Sequence, residues 1–280
     1  MEYQKFIPEG WETSKPEFSL NNIKEAISQG KVVQGLAYKC DDNYNIHVKL
    51  NDSIDGIIPR NEIDFLGVDD DGNTKIGICK NKINNFVQFK MKKIFDDNQV
   101  LLSRKEVCKE ALNWANTELK PGMVVNGIVK NIRPYGVFVE IGGGVVGLIH
   151  IQDISVSRMK NPSERFFIGQ KIKTMIKLVD KENSRIILSY KELLGNWDDN
   201  IKEFQEKTVV KGIVKEYDKF KNGIFIELKP NLVGLAEYKS GYKYGQEVNV
   251  FIKKIIQDKK KIKLLIVWKE LFSNGRRWKN

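Results

Sequence analysis

The sequence predicts an all-β dominated chain of three small five-stranded barrels in tandem, joined by short helical linkers. Three observations carry that reading. One pattern of valines, glycines and alternating apolar residues occurs three times along the chain. Within each copy, apolar and polar residues alternate as they do in half-buried strands. The stretches between copies are rich in helix formers, and each carries a tryptophan.

The copies open at 32–58 (VVQGLAYKCDDNYNIHVKLNDSIDGII), 124–149 (VVNGIVKNIRPYGVFVEIGGGVVGLI) and 209–235 (VVKGIVKEYDKFKNGIFIELKPNLVGL). Each has V-V-x-G, a polar corner, an alternating strand, a turn, and then glycine followed by apolar residues. Their downstream halves match as well: NFVQFKMKKIFDDNQVLLSRKE, QKIKTMIKLVDKENSRIILSYKE and QEVNVFIKKIIQDKKKIKLLIVWKE. Five short strands at this spacing make the OB-fold the economical choice. Gly127, Gly136 and Gly147 fall where a strand must bend hard to close so small a barrel.

The domains read as follows. Residues 1–27 form an N-terminal segment with a short helix, Ser19 its cap and Gly30 its stop. The first barrel spans 28–106 and is divergent, with an insertion at 61–82 whose D-D-D-G-N run lacks the glycine and glutamate positions of a calcium loop and reads as a hairpin turn. A helical linker at 107–118 leads to the second barrel, 119–194, and another at 195–207 leads to the third, 208–270. Trp114 and Trp197 are expected to pack the linkers against barrels. Residues 271–280 are a basic tail.

Composition narrows the class. Hydrophobic residues make up 41% of the chain, enough for real cores, and no apolar run approaches the roughly 20 residues of a membrane span. With no signal-like start, a cytoplasmic protein without membrane contact is expected. Cys40, Cys79 and Cys108 are widely spaced, and His47 and His150 are the two histidines, so neither a disulfide framework nor a metal centre is indicated. No phosphate-binding loop or nucleophile elbow occurs, so neither an enzyme nor a cofactor is expected. Net charge is +11 and unevenly placed: residues 1–115 hold 16 Lys and Arg against 18 Asp and Glu, while residues 201–280 hold 19 against 9. One end of the chain attracts polyanions and the other does not.

At copy two the match becomes specific. V-x-G-I-V-x-x-I-x-x-Y-G-V-F-V-E, then G-L-I-H-I, F-I-G-Q-K-I-x-x-x-I-x-x-V-D and R-I-I-L-S-Y-K, resembles the S1 domain, an OB-fold RNA-binding unit. The resemblance is strong over 119–194, decayed over 205–270 and weaker over 28–106. The tandem arrangement is similar to that of the bacterial ribosomal protein S1 family, in a shortened form. That resemblance implies binding of single-stranded RNA on one barrel face, through Tyr135, Phe138, His150, Asp180 and Arg185 in copy two. It also implies a role in translation with mRNA, as a monomer on the small ribosomal subunit, contacted by analogy through the first domain. An RNA-turnover or transcription accessory using the same domains is the alternative, and a scaffold whose barrels bind only proteins is a third reading.

The residues have their own logic. Val137, Val139 and Ile141 share one strand face, which places Phe138 and Glu140 on the other, toward water. A ring there stacks any base, worth roughly 1–3 kcal/mol. His150 and Arg185 fall opposite apolar neighbours, and Arg185 offers a phosphate fork or a stacking plane. Asp180 orients Arg185 or accepts from a 2′-OH or a base amine. Taken singly, each has a plainer account as a core ring, a turn residue or an edge charge. Together, on the outward parity of adjoining strands, they indicate a binding face.

Copy three keeps Phe225, but Asn222 replaces the tyrosine, Glu237 the histidine and Lys261 the arginine. Phe220, Phe225, Lys259, Lys260 and Lys261, with Arg276 and Arg277, are expected to form a secondary, salt-sensitive track. Copy one keeps Tyr44 and His47 but has Pro59 and Gln99 at the other positions, and reads as poor for RNA.

Overall fold

The computed structural model of the chain describes residues 4–12, 18–95, 99–218, 223–238 and 240–267. Three closed five-stranded barrels follow one another. The first is built from β1 (Val32–Cys40), β2 (Ile46–Lys49), β3 (Asp55–Ile58), β4 (Phe86–Ile94) and β5 (Gln99–Ser103). The second comprises β6 (Val124–Arg133), β7 (Gly136–Gly142), β8 (Val145–His150), β9 (Lys171–Asp180) and β10 (Arg185–Ser189). The third comprises β11 (Val209–Asp218), β12 (Gly223–Lys229), β13 (Leu232–Glu237), β14 (Glu247–Ile256) and β15 (Lys261–Val267). All three close in one strand order, 1-2-3-5-4 within each copy, in which the third and fifth strands run parallel in the first and third barrels. The basic tail at 271–280 lies outside the described residues.

Local chemistry sets the connections. Helix α1 (Leu20–Gln29) starts where Ser19 accepts from the Asn22 N–H at 3.2 Å and stops at Gly30 in the left-handed region, φ 59°. In the insertion, Asp69 and Asn73 close a hairpin turn through Gly72 at φ 76°, followed by one turn of helix, α2 (Ile76–Lys80). Between barrels, α3 (Lys105–Thr117) is a true helix with Val107, Ala111 and Trp114 buried. The stretch 195–207 holds only α4 (Trp197–Asn200) and a 3₁₀ turn at Ile201–Glu203. Its Gly-Asn-Trp-Asp-Asp-Asn run is poor in helix formers, which ends the helix early. Gly127 and Gly147 serve close approach: a Cβ would meet the Val139 side chain at 2.4 Å in one case and that of Leu188 at 2.7 Å in the other.

Contacts divide the chain into two units. The first is Met1–Arg133, Val137–Leu148 and Phe166–Leu188. The second is Pro134–Gly136, Ile149–Arg165 and Ser189–Asn280. In the first unit an N-terminal strap of residues 4–12 ties barrel one to strands of barrel two. The Gln4 amide donates to the carbonyls of Asn126 (3.2 Å) and Ile141 (2.5 Å) and accepts from the Asn126 N–H (2.8 Å). Phe6 packs on Trp114, with ring centroids 5.7 Å apart. Glu9, 4% exposed, takes a two-pronged bond from Arg104, which is 1% exposed, at 2.7 and 2.9 Å. The Glu9 N–H donates to Glu140 at 2.8 Å. The turn Gly142–Gly143–Gly144 makes room: a Cβ on Gly142 would lie 2.2 Å from the Phe6 carbonyl oxygen.

Burial alone would raise the Glu9 carboxyl, but Arg104 and Lys82 override it and hold it far below the usual range. Its stabilisation is therefore fully present at neutral pH, declines once pH falls through the ordinary carboxylate range, and is gone when pH reaches that depressed value. Arg104→Ala is expected to cost about 3–5 kcal/mol in urea unfolding at pH 7, because a buried carboxylate loses its partner. Arg104→Ala combined with Glu9→Ala should cost less than the sum of the two single changes.

Candidate nucleic-acid interface

On β7 the side chains of Val137, Val139 and Ile141 are fully buried in the barrel interior, as alternation requires. Phe138, on the opposite parity, is half-buried. Glu140 shares that parity, yet it is 1% exposed, which corrects the expectation that this face of β7 turns to water throughout. The strap covers its far end. Glu140 accepts from the N–H groups of Glu9 and Gly144 (3.1 Å), and Lys130 lies 3.5 Å away. Burial and the neighbouring Glu9 charge raise its carboxyl above the usual range. The outward face of β7 is thus divided between a covered carboxylate and a more accessible ring.

The other expected residues of copy two lie at strand ends. Tyr135 precedes β7 and is 50% exposed, and its carbonyl accepts from the Ile151 N–H at 2.9 Å. His150 ends β8, half-buried, with Nδ1 accepting from the Gln152 N–H at 3.4 Å. Asp180 ends β9 and accepts from the Asn183 side chain (2.8 Å) and N–H (3.1 Å). Those two bonds hold its carboxyl below the usual range. Arg185 opens β10 and is exposed. Phe138, Asp180 and Arg185 belong to the first unit, Tyr135 and His150 to the second.

In copy three, Phe225 is half-buried at mid-strand on β12, and Glu237 is exposed at the end of β13. Lys259, Lys260 and Lys261 are all exposed around the β14–β15 turn. Lys260 pairs with Asp198 at 2.9 Å, a surface pair worth little. Phe220, Asn222, Arg276 and Arg277 lie outside the described residues.

Copy one shows why a retained aromatic need not be a binding surface. Tyr44 sits at φ 63° and packs against the first core. The Arg60 guanidinium stands 5.4 Å from its ring centroid and the Lys80 ammonium 5.8 Å. Arg60 is fixed in turn by the Thr74 carbonyl (2.9 Å) and Asp69 (2.7 Å), both in the insertion. His47 is held by Asp41 at 3.2 Å.

Sequence reasoning did not single out Arg60, nor the pairs Lys130–Glu140 and Lys215–Glu227. The repeat carried a signal for both pairs: G-I-V-K and F-(V/I)-E recur at the same places in copies two and three. Among the described residues, no group of three or more His, Cys, Asp or Glu is placed to hold a metal, and no helix is long and apolar enough to cross a membrane.

Residues 118–191 match the family model described as S1 RNA binding domain. The chain is 34% identical over 187 residues to the small ribosomal subunit protein bS1 of Staphylococcus aureus, covering 61% of this chain and 47% of that protein. With bS1 of Rickettsia conorii the identity is 35% over 184 residues, 60% of this chain and 32% of the relative. A Clostridium acetobutylicum protein named 4-hydroxy-3-methylbut-2-enyl diphosphate reductase is 32% identical over 266 residues, 89% of this chain and 40% of that one. The chain therefore spans less than half the length of these relatives. Among solved structures, a multidomain protein with nucleic acid binding domains from Streptococcus pneumoniae is similar at 15% identity, over 86% of this chain and 75% of that one, with a TM-score of 0.27.

The two equivalent tyrosines separate structure from surface. Tyr44→Ala is expected to lower first-barrel stability by roughly 1–3 kcal/mol in urea unfolding, since it removes a packed ring. Tyr135→Ala should change stability by less than about 1 kcal/mol.

Proposed function

Since residues 118–191 are an S1 RNA-binding domain within a chain of S1-like, tandem OB-type barrels, we propose that the protein holds single-stranded RNA, mRNA in particular, beside the small ribosomal subunit in the cytoplasm. It acts as a monomer without catalysing a reaction. The observation that carries this reading is the half-exposed Tyr135 and the half-buried Phe138 at β7 of the barrel that matches the family. Tyr135, Phe138 and His150 offer stacking surfaces that every base can use. Exposed Arg185 offers a phosphate contact or a cation over a base. Asp180 shapes the β9–β10 turn through Asn183 and so presents Arg185.

The third barrel contributes differently. Its exposed Lys259, Lys260 and Lys261 attract the phosphate chain at any sequence, while Glu237 repels it where copy two has a histidine. Phe225 adds one ring. The first barrel, with its tyrosine already covered by Arg60 and Lys80, is left for protein contact.

Fluorescence anisotropy with a short unstructured RNA, run over a salt series, tests the assignment. Phe138→Ala/His150→Ala is expected to lose at least about 2 kcal/mol at fixed salt through lost stacking, with the log–log salt slope nearly unchanged. Unchanged affinity would sink the second-barrel site. Lys259, Lys260 and Lys261 changed together to alanine should instead flatten the salt slope. Co-sedimentation with small subunits at moderate salt supports the translation role. Travel with RNA-degrading enzymes would favour an accessory of RNA turnover.

A further inference from the structure

We infer that Glu227 and Arg165, neither of them among the residues expected to touch RNA, are positioning residues for the RNA face of the second barrel. The inference rests on the function proposed above and concerns the second unit alone, where Tyr135, His150 and the third barrel belong together.

The segment 149–165 leaves β8 at His150. Its Ile151 N–H bonds the Tyr135 carbonyl, so the backbone just after the histidine also sets the tyrosine. The remainder of the segment is fastened to the third barrel. The Val156 N–H donates to the Asn231 side chain at 3.0 Å. Ser157 Oγ donates to Glu227 Oε2 at 2.9 Å, and Arg165 Nη2 donates to Glu227 Oε1. Lys215 joins Glu227 (3.1 Å) to Glu164 (3.0 Å), while the Tyr244 hydroxyl donates to Glu164 (2.8 Å) and accepts from the Lys160 N–H (3.0 Å). Glu227, Lys215 and Ser157 are all buried.

A charged cluster of this kind tolerates few arrangements, because a buried carboxylate must keep its cations. It therefore fixes the path of a connection that has little regular structure of its own. His150 and Tyr135 are presented by that path. Ordering them before RNA arrives removes an entropy cost from binding. The coupling is reciprocal: RNA stacked on these rings must also tighten the joint to the third barrel.

The test uses the full chain and a ten-nucleotide oligouridine. Glu227→Gln keeps the shape of the side chain and removes its charge. It is expected to weaken RNA binding about five- to tenfold with the salt slope unchanged. The loss should vanish on a His150→Ala/Tyr135→Ala background and persist in full on Phe138→Ala, whose ring is in the other unit. The two histidines supply a readout that a general loss of stability would not give. In Glu227→Gln the His150 ring resonances should shift or broaden, while those of His47 stay in place. Asn231→Gly, which retains the left-handed φ of 65° and deletes only the side-chain bonds, should act in the same direction and guards against misfolding of the first variant. Full affinity in both variants, together with a loss in Phe138→Ala, would overturn the inference and leave the RNA site intact. Losses additive with His150→Ala/Tyr135→Ala would overturn it too. If Phe138→Ala and His150→Ala/Tyr135→Ala all bind normally, the RNA reading itself fails and takes the inference with it.

Discussion

Glu140 and Glu227 stand at the same place in two copies of one repeat, each buried beside a lysine of the preceding strand, Lys130 or Lys215. A carboxylate removed from water is tolerable only with cations and N–H or O–H donors around it, and one lysine does not suffice. Each barrel must therefore receive something on that flank. In the first unit it is the strap, which brings the Glu9 N–H, with Arg104 and Lys82 balancing Glu9 itself. In the second unit it is the segment 149–165, which brings Ser157 and Arg165. The first barrel has Lys49 at the corresponding position, exposed and paired with Asp55 at 3.6 Å, and makes no such demand.

The same comparison explains why three related barrels have different surfaces. Tyr44 and Tyr135 are sequence equivalents, but an insertion carries Lys80 and the groups that fix Arg60 onto one of them, while the other stays half exposed. A side chain that stays at the surface in one copy is packing material in the next. Fold similarity therefore says little about which copy binds, and the decision rests with the residues around each ring.

Much of this was legible in the sequence, because it is local or repeated. Alternation located the strands, the three-fold pattern fixed the barrel count, and Ser19 and Gly30 marked the ends of α1. Strand parity placed Phe138 correctly outside the core but misjudged Glu140, since parity says which side a residue faces and nothing about what covers that side. Glycines read as bends proved to be places where Val139 or Leu188 fills the interior. The strap was not legible at all. Glu9 and Arg104 are 95 positions apart, Glu9 and Glu140 are 131 apart, and no periodicity links such partners.

The three-glycine turn has a bearing on how such chains can change. Where the second barrel has Gly142, Gly143 and Gly144, the third has Lys229, Pro230 and Asn231, and Asn231 uses its side chain to hold the neighbouring segment. One seat admits a strap by being bare, and the other grips by being furnished. Copying or reshuffling one of these barrels by recombination would thus place a module in an order where its seat and its occupant no longer agree. Lineages that add or lose barrels must then revise the turn and its guest together.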